Sequence, residues 1–188
     1  MAFTSFRFIV FLVLAAAAYF LTPKRCRWVT LFVANYVFYF ISGGRIFIYL
    51  LATTVTTYLA TVKIGDMAAK NKIAFNEAKA ELDKEGKKAW KAAFAKKKKR
   101  ILIPTLLFNF GILAVLKYSG FVTENLNLLF AKIGIGTELP VFRFLLPLGI
   151  SFYTFQSMGY LIDVYREKFE PERNPAKYAL FVSFFPQL

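Results

Sequence analysis

Leu146-Pro147-Leu148-Gly149-Ile150-Ser151-Phe152-Tyr153-Thr154-Phe155-Gln156 runs on into Met158-Gly159-Tyr160-Leu161-Ile162-Asp163-Val164-Tyr165-Arg166. The stretch is apolar over a membrane length, yet it carries a row of polar side chains. Hydrocarbon offers no hydrogen bonds, so polar groups at that depth face protein or a water-filled cavity. On a helix, Tyr153, Gln156 or Ser157, Tyr160 and Asp163 fall at i, i+3/i+4, i+7 and i+10, so they share a stripe. Phe152, Phe155, Met158, Leu161 and Ile162 make up the other side. Such a stripe has two readings. It is either hydrogen-bonding glue between helices or the wall of a substrate tunnel, and the stripe alone does not separate them. Asp163 lies at the end of the helix, within reach of Arg166 or Lys168 at the interface.

The rest of the chain has the same character. Of 188 residues, 57% are hydrophobic with Gly left out, above the ~45–50% of ordinary soluble domains. Mean hydropathy is +0.49. Apolar blocks run over Phe3–Leu21, Trp28–Ile41, Ile46–Val62, Ile101–Leu116 and Phe144–Ile162, and another begins at Tyr178. The Phe3–Leu21 block has a weak basic flank before it and Lys24-Arg25-Arg27 after it, which fits an uncleaved helix better than a signal peptide. The second block, Trp28–Ile41, is short for the ~20 residues a span requires, so it either thins the bilayer or is re-entrant. Ser42-Gly43-Gly44 is a tight turn between the second and third blocks.

Net charge is +14, and 13 of the 25 Lys and Arg lie between Lys63 and Arg100. A basic run between apolar blocks is what the positive-inside rule produces, and it argues against nucleic acid as the partner. The run reads as two amphipathic helices at headgroup level, broken at Gly86, with the lipid bilayer as their partner. Pro104 falls in the first turn of the following block, where proline is tolerated. A short interfacial helix is expected between Ser119 and Pro140. With 63–100 cytoplasmic, the Lys24–Arg27 cluster and the Arg166–Lys177 loop are cytoplasmic too, and the N-terminus is outside. The fold class expected is therefore all-α: a polytopic membrane helix bundle of about five transmembrane or re-entrant helices plus interfacial amphipathic helices. Residues 1–188 form part of one membrane domain, with 63–100 a basic cytoplasmic loop within it.

The chain has no His and a single Cys, Cys26. A histidine base, a histidine metal ligand and an intrachain disulfide are excluded within these residues, and no metal site is expected. Gly43-Gly44 lacks the Lys and Ser/Thr of a phosphate loop. Cys26 lies in a basic juxtamembrane turn, where palmitoylation or an acyl-thioester relay is weighed against an incidental small apolar residue, the more ordinary reading. Tyr36, Tyr39 and Phe40 have two readings, the lining of a cavity or interfacial aromatic anchors, of which the second is the more ordinary.

The run Leu146–Gln156, with Tyr160-Leu161-Ile162-Asp163-Val164-Tyr165-Arg166, resembles the membrane-bound O-acyltransferase family. So do Asn174 and Tyr178-Ala179-Leu180-Phe181-Val182-Ser183-Phe184-Phe185-Pro186-Gln187-Leu188. Asn109-Phe110-Gly111, Leu116-Lys117-Tyr118 and Asn125-Leu126-Asn127 fit the bacterial branch that contains alginate O-acetylation proteins and the teichoic-acid D-alanyl transfer protein. The resemblance implies a helical funnel through a bacterial plasma membrane. It also implies transfer of an acyl group from a cytoplasmic donor to hydroxyls of a cell-surface polymer. The donor would be acetyl-CoA or a carrier-protein thioester, with no bound cofactor. Partners would be an extracytoplasmic acetyltransferase or a carrier protein, and the remaining half of the same enzyme. The family's catalytic His would lie beyond Leu188, so the chain reads as an N-terminal portion with no catalytic residue of its own. The candidate tunnel-lining set is Ser151, Tyr153, Gln156, Ser157, Tyr160, Asp163, Pro186 and Gln187. A fragment of a transporter, or a small membrane scaffold, is the alternative.

Overall fold

A computed structural model of the chain describes residues 6–44, 47–79, 82–134, 139–140, 149–184 and 186. Six helices make up the described residues: α1 Phe6–Leu21, α2 Arg27–Gly43, α3 Phe47–Ala78, α4 Lys84–Ile133, α5 Ile150–Tyr165 and α6 Pro175–Ser183. No strand occurs among them. At 1.5 Å per residue, α3 is about 48 Å long and α4 about 75 Å, against a hydrocarbon core of ~30 Å. Both are long and apolar enough to cross a membrane.

The basic segment differs from its sequence reading. It is not a pair of separate helices at headgroup level. α3 runs unbroken through Lys63 to Ala78, and α4 runs unbroken from Lys84 through Arg100 into the apolar block. Helix-forming Ala, Lys and Glu dominate on both sides of the apolar boundaries, so nothing stops either helix there. α3 ends at Ala78 and α4 begins at Lys84, so Gly86 lies inside the first turn of α4. Its N–H donates to Asp83 Oδ1 at 2.6 Å, an N-cap. Pro104 is likewise interior, about five turns into α4. It has no N–H for the Arg100 carbonyl, which lies at the edge of the apolar block. The interfacial helix expected between Ser119 and Pro140 is the continuation of α4 to Ile133, closed by a left-handed Gly134.

α3 is the central element and packs against α2, α4, α5 and α6. Its buried face is Leu50, Thr53, Thr54, Thr57, Ala60, Thr61 and Ile64, small residues at helical spacing that let neighbouring backbones approach. The threonine hydroxyls are satisfied within the helix: Thr54 donates to Leu50 O at 2.8 Å, Thr57 to Thr53 O at 2.5 Å and Thr61 to Tyr58 O at 2.8 Å. Asn109 of α4 donates through Nδ2 to Thr56 Oγ1 at 3.1 Å and to Thr105 O at 2.9 Å, tying α4 to α3. Two apolar clusters form around this seam. One holds Phe38, Tyr39, Leu50, Leu113, Leu116, Ile150, Tyr153, Tyr178 and Val182; the other holds Ala60, Ile64, Leu102, Met158, Leu161 and Val164.

The outward surface is unlike that of a water-soluble bundle. Leu59, Leu107, Phe108, Val115, Phe152 and Phe155 are all exposed. Large contiguous apolar surfaces of this kind mark contact with lipid or protein. Met158 and Leu161 do not belong with them. They are buried against α3 and α4, so α5 is covered on two sides and only a strip through Phe152 and Phe155 faces outward. α1 is peripheral: it has no buried residue and touches α2 through Phe8 and Phe11 on Phe38, ring centroids 5.8 and 5.9 Å apart.

The loop from Arg166 to Asn174 folds back onto α3. Arg173 pairs with Asp66 at 2.6 Å, and the Tyr58 hydroxyl donates to Arg173 O at 2.7 Å. Pro171 sits directly on Gly65, where a Cβ would come within 2.3 Å of the proline ring. Gly65→Ala is therefore expected to destabilise the fold by about 1–3 kcal/mol through overpacking. At Gly111 a Cβ meets nothing within 4 Å. Gly111→Ala in mid-helix is expected to leave stability unchanged or to raise it by up to ~1 kcal/mol. Thermal unfolding of the two variants in detergent, followed by circular dichroism, checks the contrast.

Candidate functional site

The polar face of α5 is set by how the helix begins and what lies beside it. Gly149 starts it with φ 69°, a left-handed conformation that costs glycine nothing. α6 starts at Asn174-Pro175: the Asn174 side chain accepts from Ala176 N at 2.9 Å and Lys177 N at 3.2 Å, and Pro175 supplies the fixed first turn. These two starts bring Tyr178 and Phe181 of α6 against Tyr160 of α5, with centroids 5.3 and 5.6 Å apart.

The structure divides the polar row by partner. Gln156 Nε2 donates to Phe181 O at 3.2 Å. The Tyr160 hydroxyl accepts from Glu172 N at 2.8 Å. Asp163 pairs with Lys168 at 2.9 Å, outside the row's interior. Ser157 is fully buried and donates to Tyr153 O at 2.7 Å, beside the Tyr178 phenol. Ser151 is half-buried. Four of the row, Gln156, Ser157, Tyr160 and Asp163, thus hold α5 to itself, to α6 or to the connecting loop. Pro186 is exposed, and Gln187 lies outside the described residues.

Tyr153 is different. It is 1% exposed, and its hydroxyl has no hydrogen-bond partner among the described residues. The same holds for Tyr39, 4% exposed on α2, and for Ser183, fully buried at the end of α6. Tyr39 and Tyr153 share one cluster, and Val182, next to Ser183, belongs to it too. Tyr39 is thus a core residue, not the interfacial anchor expected from sequence; its neighbour Phe40 is the exposed one, at 68%. Beside these orphan groups, the Tyr178 hydroxyl donates to Thr57 Oγ1 at 2.7 Å. An unmet buried hydroxyl costs about 1–3 kcal/mol, and Tyr39 and Tyr153 carry two of them in one cluster.

Sequence reasoning found Tyr153 and Ser157 and weighed Tyr39 as cavity lining or anchor, but it gave no site role to Thr57, Tyr178 or Ser183. The spacing Thr53, Thr57, Thr61 along α3 was the available signal, since polar residues at that period mark a helix face turned inward. Chemically the cluster is neutral. Its hydroxyls can donate to a carbonyl or alkoxide oxygen. They include no general base, and no group of three metal-ligating side chains occurs among the described residues.

Two conservative changes separate the satisfied from the orphan phenol. Tyr178→Phe is expected to cost about 1 kcal/mol, because it removes the bond to Thr57. Tyr153→Phe is expected to leave stability unchanged or raise it slightly, because it removes a buried hydroxyl without a partner. Midpoints of thermal unfolding for the two variants would reveal the difference, and equal losses would show that the Tyr153 hydroxyl is satisfied.

No family model matches the chain, and no solved structure does. Curated proteins match it from end to end. It is 33% identical over 191 residues to the probable alginate O-acetylase AlgI of Azotobacter vinelandii, covering all of this chain and 33% of that protein. It is 31% identical over 191 residues to the probable alginate O-acetylase AlgI of Pseudomonas aeruginosa, covering all of this chain and 32% of that protein. A peptidoglycan O-acetyltransferase of Helicobacter pylori is 33% identical over 111 residues, 46% of this chain and 20% of that protein. The chain thus spans about a third of the length of the alginate O-acetylases it matches. An all-helical bundle with two membrane-length apolar helices, aligned with these proteins along its whole length, belongs to the membrane-bound O-acyltransferase family.

Proposed function

We propose that the chain is the scaffold portion of a membrane O-acyltransferase that moves an acetyl group from an activated donor to hydroxyls of a cell-surface polysaccharide. The end-to-end similarity to alginate O-acetylases carries this reading. The chemistry of the buried cluster agrees with it. Acyl transfer to a hydroxyl needs a base for the acceptor and donors for the developing oxyanion. Tyr39, Tyr153 and Ser183 are buried donors with no acceptor among the described residues. The chain has no His to act as the base. In this reading the base comes from the remainder of the enzyme, and the hydroxyl cluster binds and orients the acyl carbonyl. A dry, protein-lined position also protects an activated acyl group from hydrolysis.

The donor side follows from charge. The α3–α4 hairpin, with 13 Lys and Arg between Lys63 and Arg100, lies in the cytoplasm, and so does the Lys24–Arg27 cluster. An activated thioester, carried by coenzyme A or by a carrier protein, is a cytoplasmic compound, so the donor enters from the hairpin end of the bundle. The acceptor polymer meets the opposite end.

Three measurements test this. Cys26 is the only thiol of the chain and is exposed between α1 and α2. In intact cells a membrane-permeant maleimide is expected to label Cys26 and an impermeant one is not; impermeant labelling would place that turn outside and overturn the topology. Purified chain alone is expected to give no acetyl ester on an alginate acceptor above a boiled control. In the full-length enzyme, Tyr153→Phe is expected to lower turnover about tenfold or more while leaving the protein folded, as loss of an oxyanion donor does. Unchanged turnover would remove Tyr153 from the site.

A further inference from the structure

The hairpin end of the bundle holds a second polar site, separate from the hydroxyl cluster. Between α3 and the start of α4 lies a cavity of about 310 Å³, lined in part by Lys72, Phe75, Trp90, Lys91 and Phe94. That is within the lower range of small-molecule sites. Its wall is aromatic and pre-set. Trp90 Nε1 donates to Asn71 Oδ1 at 3.0 Å, which fixes the indole, and Phe75 packs beside it at 6.1 Å between centroids.

Its floor is locked by a buried cation. Lys98 is only 6% exposed, although Lys97 and Lys99 on either side are exposed. Its ammonium donates to Tyr165 O at 2.8 Å and pairs with Glu167 at 2.5 Å, and it lies 4.8 Å from the centre of the Phe94 ring. Glu167 adopts φ 60°, a left-handed conformation unusual for a carboxylate residue, and so reaches Lys98. This contact uses up the Glu167 charge. Lys168 and Arg173 are likewise committed, to Asp163 and Asp66. Lys72 and Lys91 are exposed and have no carboxylate partner among the described residues. Lys91 Nζ lies 6.0 Å from the centre of the Phe75 ring, so the cavity offers two cations without a carboxylate partner among the described residues at the rim of a fixed aromatic wall.

We infer that this cavity binds the nucleoside-phosphate part of a water-soluble ligand, the ring against Phe75, Trp90 and Phe94 and the phosphate between Lys72 and Lys91. Stacking suits any base, since every base has a π-face, and lysines supply point charges for phosphate. An anionic lipid headgroup is the competing occupant, and distance decides against it. Lys91 is ten residues from the start of the apolar run at Ile101, and Lys72 ten residues past its end at Val62. At 1.5 Å per residue along unbroken helices, each is about 15 Å from the hydrocarbon edge. The headgroup layer is only about 5–8 Å deep. The inference rests on the proposed topology only in that a nucleotide must be present on the side the hairpin faces.

The test uses the full 188-residue chain in detergent with Trp28→Phe, which leaves Trp90 as the sole indole. ATP is expected to quench its fluorescence saturably, and inorganic pyrophosphate is expected to bind about tenfold more weakly because it lacks a ring. Lys72→Ala with Lys91→Ala is expected to weaken ATP at least tenfold. Lys88→Ala with Lys97→Ala, exposed lysines that do not line the cavity, is expected to leave it unchanged. Circular dichroism verifies that both variants remain helical. Absence of saturable quenching by ATP, equal affinity for pyrophosphate, or equal loss in the two double variants would overturn the proposal. Saturable quenching by phosphatidylglycerol micelles with none by ATP would assign the site to lipid and overturn it too. Because binding is read without acyl transfer, and orientation by Cys26 labelling, failure of this site and failure of the functional reading are distinct results.

Discussion

Hydrocarbon cannot solvate a polar group, and the packing of this bundle follows from that one constraint. Each hydroxyl, amide and carbonyl at membrane depth must find its partner inside the protein. α3 meets the requirement by itself, because its buried threonines bond back to their own helix and then behave as small packing residues. α4 meets it with Asn109 on Thr56. α5 cannot do so alone. Gln156 needs a carbonyl of α6, and Tyr160 needs the loop before α6. The order of the last two helices and the path of the loop between them are thus consequences of the polar row.

Against this background the unmet hydroxyls stand out. A bundle that satisfies Thr57, Ser157, Tyr178 and Asn109 with short bonds leaves Tyr39, Tyr153 and Ser183 without partners among the described residues. Stability alone would favour Phe or Ala at such positions. Groups kept polar at a cost are what a binding region looks like before its ligand or its missing neighbour arrives. The opposite end of the bundle shows a different arrangement of the same kind: Lys98 is paired with a carboxylate, while Lys72 and Lys91 have none among the described residues.

The all-helical membrane bundle was legible because the apolar blocks are long and the basic residues are gathered between them. The ends of the helices were less legible. Gly86 and Pro104 looked like boundaries by residue type, but Gly86 is held in a first turn by Asp83, and Pro104 is carried inside a helix whose neighbours pack around it. Tertiary packing overrode local preference at both. The facing of α5 was half legible. Period alone put Met158 and Leu161 opposite the polar row, and α3 and α4 cover that side as well, which no single helix reveals about its neighbours. Tyr39 was read as an anchor because aromatic residues near a turn usually are; its burial depends on α5 and α6, far away in sequence.

α1 differs from the later helices in a way that bears on how the protein is made. It has no buried residue and meets α2 through phenylalanine rings. It can partition into lipid as soon as it is synthesised, since nothing in it waits for a partner. α5 emerges with Gln156 and Tyr160 still open, and these two close only after the Arg166–Asn174 loop and α6 have been synthesised. For that interval it is a marginal lipid guest, and the insertion machinery must hold it beside α3. Errors of assembly should therefore concentrate at the late helices, while α1 is the part of the fold most free to vary or to be replaced.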